Sequence, residues 1–294
     1  MILLFKVLRR ILNHPLSKKN KLQALLRFIK WHIGIRLLKS PIVYSFTTDS
    51  YLIIQRGMEG ATGNIYNGLD EFYDMSFLLH FLRENDFFVD VGANIGSYTV
   101  LASAHIGCTS ISIEPSRESF HYLQTNIRVN DIDDNVEQLN IGLGSKSGKE
   151  KFTYGNDTTN HVATNNDKNV ITIEVDTLDN VVSTIKKPTL VKIDVEGYEK
   201  EVLLGASKAL ASEYIKAIII EDVNHGERYG FQDNDVHKIL NKCGFKRYEY
   251  DPFKRELNKK SGYFGQNTIY LRDFDYVNER IKKAPKIIIS GIKI

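Results

Sequence analysis

From residue 87 onward, short runs rich in Val, Ile and Phe alternate with stretches of helical periodicity. They read as strand 87–91, helix 96–106, strand 109–114, helix 117–130 and strand 135–141. After a less regular stretch the pattern resumes with strands at 189–195 and 216–222, a helix at 233–242, and strands at 245–250 and 267–271. Short β-branched and aromatic runs separated by helices imply an α/β architecture, a mostly parallel sheet with helices on both faces. Ligands of such sheets bind beyond the carboxyl ends of the strands. The residues just after each strand are therefore where function is to be sought.

The 294 residues are 42% hydrophobic and 26% charged, which excludes disorder, collagen-like chains and a membrane-integral protein as overall descriptions. Cys108 and Cys243 are too few and too far apart for a disulfide scaffold or a CxxC metal site. The apolar start, Met1 to Phe5, is broken by Lys6, Arg9 and Arg10 before a signal-peptide core could form, and no uncharged run is long enough to span a bilayer. A reducing cytoplasm is the expected compartment.

The net charge of +3 hides a division. Residues 1–48 hold ten of the 39 Lys and Arg and no acid, whereas the remaining 29 basic residues face 36 acidic ones. Residues 1–13 and 20–39 read as helices separated at Pro15. On the second, Leu22, Leu25, Leu26, Ile29 and Ile33 form one apolar face, while Phe28, Trp31, Ile35 and Leu38 lie opposite. A helix apolar on two sides either is sandwiched in a core or offers its second side to a partner or an anionic membrane, contacted through residues 1–40 at the inner surface. The plainer reading is a helical cap on the catalytic domain with its charges solvated. A hairpin is expected from 42–46 and 51–55, a glycine-containing loop from Gly57 to Gly68, and a helix at about 72–83. The expected organisation is an N-terminal extension over 1–56, a catalytic domain over 57–275 and a tail over 276–294. Residues 145–175, with Gly148, Gly155, Asn156, Asn160, Asn165 and Asn166, read as a long polar insertion of the kind that forms lids or substrate loops.

The most informative segment is Phe87 to Val100. An apolar strand runs into Asp90, and Gly92 and Gly96 then turn the chain tightly into a helix. The spacing is not that of a dinucleotide fingerprint, because Asn94 stands where its second glycine should be. An acid before the loop suits a cationic ligand, and S-adenosylmethionine carries both an ammonium and a sulfonium. The next strand ends at Glu114, placed to accept bonds from two ribose hydroxyls. Together these signals indicate a nucleoside-type cofactor.

At these residues the sequence resembles the FkbM family of S-adenosylmethionine-dependent methyltransferases. The matching segments are Phe88-Val-Asp-Val-Gly-Ala-Asn-Ile-Gly-Ser-Tyr-Thr99, Ile113-Glu-Pro115, Asn140-Ile-Gly-Leu-Gly-Ser-Lys-Ser-Gly148, Asp176-Thr-Leu-Asp179 and Val191-Lys-Ile-Asp-Val-Glu-Gly-Tyr-Glu199. The resemblance runs over about 57–272 and includes Gly60-Ala-Thr-Gly-Asn64 and Glu71. It implies a doubly wound, seven-stranded Rossmann-like methyltransferase sheet whose last strand is antiparallel, and O-methylation of a sugar or natural-product hydroxyl. Asp90, Gly92, Asn94, Gly96 and Glu114 then match the family's cofactor loop and ribose acid. Asn140 and Ile141 fall where such folds contact adenine, with Asn in place of a common acid.

Methyl transfer to a hydroxyl needs alignment and a proton acceptor. Asp194 and Glu196 follow the fourth strand, and Glu221, Asp222 and His225 follow the fifth, so both groups should open onto the cofactor's edge. Asp194, Glu196 and His225 are the candidate catalytic residues. His161, in the insertion, is a weaker candidate. Asp194, Glu221 and Asp222 could hold a divalent metal through oxygen ligands, though nothing in the sequence requires one. No [D/N]-P-P-[Y/F] motif occurs, and the acidic body argues against nucleic acid as substrate. The expected acceptor is a saccharide or glycolipid. The contrasting reading is a non-catalytic, membrane-surface partner of a glycan assembly system.

Overall fold

Three helices lead the chain: α1 (Ile2–Asn13), α2 (Pro15–Lys19) and α3 (Lys21–Leu38). This computed structural model describes residues 2–38, 40–155, 157–182, 187–222, 224–232, 234–259 and 266–294. A hairpin follows, β1 (Ile42–Ser45) and β2 (Tyr51–Ile54), paired antiparallel. Its turn is fixed by Thr47 and Asp49, whose side chains bond at 2.8 Å. Then come α4 (Glu59–Asn67) and α5 (Phe72–Phe81), the latter buried along nearly its whole length.

The alternating region begins with β3 (Phe87–Val91), α6 (Ser97–Val100), β4 (Thr109–Ile113), α7 (Arg117–Val129) and β5 (Val136–Leu139). The helix expected over 96–106 is α-helical only through α6 and continues as a π-helix over Leu101–Ile106. Next are β6 (Gly142–Leu143), β7 (Gly148–Thr153), β8 (Val170–Asp176), α8 (Leu178–Val181), β9 (Leu190–Ile193), α9 (Glu199–Leu204), α10 (Ser207–Ala211) and β10 (Ala217–Asp222). The chain ends with α11 (Asp235–Lys242), β11 (Lys246–Asp251), β12 (Glu256–Lys259), β13 (Gln266–Leu271), α12 (Phe274–Lys283) and a small hairpin, β14 (Ile288–Ile289) with β15 (Ile292–Lys293).

The main sheet has the order β12-β11-β13-β10-β9-β3-β4-β5. Strands β5, β4, β3, β9 and β10 run parallel, and β13 is antiparallel to both its neighbours, as expected of the final strand. Among the described residues the sheet has eight strands rather than seven because β12 folds back on β11 as an edge strand. Alternation along the strands divides the core. Phe88, Leu190 and Ile219 face a layer containing α5, the π-helix and α12. Val89, Val91, Val191 and Ile193 face the opposite layer, with Val202, Leu203 and Leu210 of α9 and α10.

Three further expectations are corrected. The segment from Gly57 to Gly68, expected as a glycine-containing loop, is helical over Glu59–Asn67 as α4. The insertion over 145–175 is largely β-structure: β7 and β8 pair antiparallel, β6 joins β8, and Phe152, Ile173 and Val175 form a small core of their own. In α3 the faces are reversed. Trp31 and Ile35 of the second face are buried in the main core and Phe28 is half-buried, though Leu38 at the helix end is exposed; Leu22, Leu26, Ile29 and Ile33 of the first are exposed and Leu25 is half-buried. The rotation is set by Arg27, which donates through Nε and Nη2 to the Tyr66 carbonyl at 3.0 and 2.7 Å, and by Phe28, whose ring lies 5.2 Å from that of Tyr66. Leu16 of α2 and Ile287, Ile289 and Ile294 of the C-terminal segment join the same core, so both ends of the chain pack on the sheet's helical layer.

Candidate active site

The turn after β3 is held to its neighbours by backbone bonds: Gly92 and Ala93 both donate to the Ile113 carbonyl, and Asp194 donates to the Val91 carbonyl. Gly92 has φ +76°, and a Cβ there would lie 1.8 Å from the Asp194 carbonyl oxygen. Only glycine allows the two strand ends to approach this closely. Gly92→Ala is therefore expected to lower folding stability by about 2–4 kcal/mol, combining a left-handed backbone with a collision. Gly148→Ala, which meets nothing within 4 Å, should stay within about 0.5 kcal/mol of the parent. Urea unfolding of the two variants measures the contrast.

Beyond this turn lies a cavity of about 350 Å³ at the carboxyl ends of β3, β4, β9 and β10. Gly92, Asn94, Glu114 and Ile141 line it, as do Asp194, Glu196 and Glu221. The β-insertion supplies another wall through Phe152, Asn160, Val162 and Ile173. Asp90, Gly96 and Asn140 shape the site without lining it. Gly96 sits at φ +88°, packed so closely on Leu123 that a Cβ would fall 2.5 Å from its Cδ1. Asn140 donates from Nδ2 to the carbonyls of Glu114 and Pro115, fixing the end of β4.

Glu114 accepts from the backbone N–H groups of Asn94 (2.9 Å) and Ser116 (2.7 Å), which ties the ribose-acid candidate to the glycine loop. Burial raises its pKa to about 7, although these two bonds favour the ionised form. Asp90 is fully buried; one oxygen accepts from Thr99 Oγ1 at 2.7 Å and the other has no hydrogen-bond partner among the described residues. Register places Asp90 beside Lys192 on β9. Burial raises the Asp90 pKa, and Lys192 opposes the shift. Burial works against the Lys192 charge too, yet Asp194, Asp90 and Glu71 more than offset it and hold the ammonium firmly protonated. Lys192 Nζ lies 2.7 Å from Asp194 Oδ2 and 4.8 Å from the centre of the Tyr98 ring.

The turn after β9 is strained. Glu196 has φ +55° and Gly197 φ +100°, with the His225 carbonyl 2.5 Å from where a Gly197 Cβ would be. For Glu196 such backbone costs about 1–3 kcal/mol, and strain of this kind collects at functional sites; Gly197 adopts it freely. The turn is clamped by Glu199, which accepts from the Val195 and Gly197 N–H groups, both at 3.1 Å. Glu196 Oε2 lies 3.1 Å from His225 Nδ1, and Glu221 Oε2 lies 3.9 Å from the same nitrogen. Burial, then repulsion from Asp194, raises the Glu196 pKa to about 7; the same causes take Glu221 to about 10. Burial, then Arg228, lowers that of His225.

Among the described residues, Glu196, Glu221 and His225 bring ligand atoms within 4.8 Å of one another and could hold a divalent ion. This differs from the set expected from sequence: Asp194 is committed to Lys192, and the Asp222 side chain lies outside the described residues. His161 bonds the Thr159 carbonyl through Nδ1 and stands 3.5 Å from Asp167; its neighbours Asn160 and Val162 line the cavity but it does not.

Sequence reasoning gave no role to Glu71 or Tyr98, and gave Lys192 only that of a surface partner for the acids beside it. Glu71 lines the cavity from the start of α5 and accepts from Asn267 Nδ2 at 2.9 Å. Burial raises its pKa, with Lys192 opposing. Its isolation in sequence gives no local pattern, whereas Lys192 carried a signal as a charge inside an otherwise apolar strand.

The family model of the methyltransferase FkbM domain matches residues 90–247, more than half of the chain. The protein belongs to the FkbM methyltransferase family. That span of the FkbM domain includes the glycine loop, Glu114, Asp194, Glu196 and His225. A curated relative, the hexuronic acid methyltransferase AglP of Haloferax volcanii, is 32% identical over 169 residues, covering 56% of this FkbM protein; the chain spans 66% of that relative's length. Two solved structures are similar at lower level. M. jannaschii TYW2 in complex with AdoMet is 16% identical, with 79% of this chain and 85% of that one covered and a TM-score of 0.41. Precorrin-6y C5,15-methyltransferase of Geobacter metallireducens is 11% identical, with 69% and 87% covered and a TM-score of 0.40.

Proposed function

We propose that the protein transfers a methyl group from S-adenosylmethionine to a hydroxyl of a saccharide or glycolipid. The observation that carries this reading is the convergence, in one cavity, of the Gly92 turn and Glu114 with the carboxyl groups of Asp194, Glu196 and Glu221. The residues fit the cofactor's chemistry. Glu114 is positioned to accept ribose hydroxyl bonds, Gly92 leaves room a side chain would fill, and the unpartnered oxygen of Asp90 adds negative potential below the loop. Bound there, the cofactor supplies an electrophilic methyl on a sulfonium.

The chain's own work is to orient the acceptor oxygen for in-line attack and to take its proton. Glu196 is the proposed base: it lines the cavity, and its pKa of about 7 matches the task. His225, beside it but not lining the cavity, positions that carboxyl. Asp194 neutralises Lys192 and through it steadies the floor. The relative named for hexuronic acid supports a sugar acceptor. The test is to incubate the full chain with S-adenosylmethionine and a panel of saccharides, uronic acids among them, and glycolipids, and to read products by mass spectrometry. A product heavier by one methylene, fragmenting as an O-methyl sugar, is expected. Cofactor turnover with non-sugar hydroxyls alone would overturn the assigned acceptor.

A further inference from the structure

We propose that the exposed apolar stripe of α3, framed by the basic N-terminal arm, docks the protein onto an anionic bilayer surface. Leu22, Leu26, Ile29, Ile33 and Leu37 are between 45% and 75% exposed. At about 100° per residue they fall within one narrow band along the whole helix. A row of five large aliphatic side chains left in water is unusual for a soluble monomer and marks an interaction surface.

What the surface fits follows from its borders. Lys30 and Arg36, both exposed, fall at the two edges of the band by the same helical geometry. Lys6, Arg9 and Arg10 on α1, Lys18 and Lys19 at the end of α2 and Lys21 at the start of α3 are exposed as well. No Asp or Glu occurs before Asp49. An aliphatic band with cations on both sides and no acid matches an acyl boundary beneath anionic headgroups. Of these cations Arg10 is already paired with Asp70, at 3.0 Å. Leu4 and Phe5 of α1, which packs against α3, add further exposed apolar area. No helix among the described residues is long and apolar enough to cross a membrane, so the contact is one of lying on the surface. Arg10 also lines the cavity mouth. Docking would thus bring the mouth close to the headgroups, a consequence that bears on lipid-linked acceptors only if the proposed methyl transfer holds.

The full chain is tested with sedimented vesicles of phosphatidylcholine, with and without phosphatidylglycerol. Binding is expected only when phosphatidylglycerol is present, and should weaken by about tenfold or more when ionic strength rises from roughly 0.05 to 0.5 M. The triple variant Leu26→Ser, Ile29→Ser, Ile33→Ser should lose at least about tenfold in partitioning. Its unfolding should stay cooperative with a midpoint lowered by only a few degrees, since about half of each side chain is already exposed and Ser costs a few tenths of a kcal/mol per helical site. The pair Lys30→Glu, Arg36→Glu should lose about tenfold. No vesicle binding at low salt, equal binding by parent and triple variant, or a parental dimer that the triple variant dissolves without any vesicle binding would each overturn the proposal. None of these outcomes reads methyl transfer.

Discussion

Glu196→Gln is expected to lower turnover by about 10²–10⁴ at saturating cofactor and acceptor, the usual loss for a general base, with cofactor affinity within a factor of about three of the parent. The amide keeps the size of the side chain but cannot take the proton. Because burial raises the Glu196 pKa to about 7, the parental rate should climb as pH rises through that value, where the carboxyl loses its proton, and level off above it. His225→Asn removes the group 3.1 Å from Glu196 and should shift the midpoint of that profile with a smaller loss of rate. Asp194→Asn should instead perturb cofactor affinity and stability, since it leaves the buried Lys192 ammonium with less compensation. Near-parental turnover in Glu196→Gln, with an unshifted pH profile, would place the base elsewhere.

The second large effect falls on the cofactor. Glu114→Ala is expected to weaken S-adenosylmethionine binding by about 10²-fold or more, since each charge-assisted bond contributes about 1.5–3 kcal/mol and two hydroxyls are involved. The same substitution frees the Asn94 and Ser116 N–H groups, so the loop also loses its tie to β4. Glu114→Gln removes the charge and keeps an oxygen for one of those two N–H groups, with its amide NH2 facing the other, so it loosens the loop less than Ala does. Asp90→Asn should cost about tenfold in affinity and leave cooperative unfolding intact, because the Thr99 bond can be retained. Calorimetric titration of these variants gives the affinities directly.

Much of this arrangement is legible in the sequence because it is local. A strand running into Asp90-Val-Gly-Ala-Asn, then a second strand ending at Glu114, places the turn and the acid next to one another once β3 and β4 pair in parallel. The alternation from residue 87 gives the sheet for the same reason. What escaped depends on contacts between distant segments. Strand β12, with the sequence Glu-Leu-Asn-Lys, has no β-branched residue and exists by pairing with β11 across a tight turn in which Arg255 takes φ +57°. Strand β7 is polar, Gly-Lys-Glu-Lys before Phe152, because most of it faces solvent, and the asparagines around it masked the alternation.

Helix α3 shows the limit of periodicity most plainly. It is apolar on two sides, so pattern alone cannot say which side is buried. The choice is made by Arg27 and Phe28 meeting Tyr66 on α4, a contact between segments 39 residues apart. The role of Glu71 is likewise set by Asn267, 196 positions away, and no window of sequence holds both. The carboxyl cluster was anticipated as residues following two strands, but its grouping was not. The strained Glu196–Gly197 turn brings Glu196 to Glu221 and His225, while Asp194 turns to Lys192.

The central claim is that the cavity beyond β3 and β4 binds S-adenosylmethionine through Glu114 and the Gly92 turn. It is tested most directly by calorimetric titration of the full chain, parent against Glu114→Gln, at two pH values on either side of 7. One cofactor per chain is predicted, with affinity in the micromolar range. It should be weaker at the lower pH, because there the Glu114 carboxyl, whose pKa burial raises to about 7, is increasingly protonated and accepts hydroxyl bonds poorly. The Glu114→Gln variant should bind more weakly and lose that pH dependence. Absence of binding by the parent, or parental affinity and pH dependence retained in Glu114→Gln, would contradict the account.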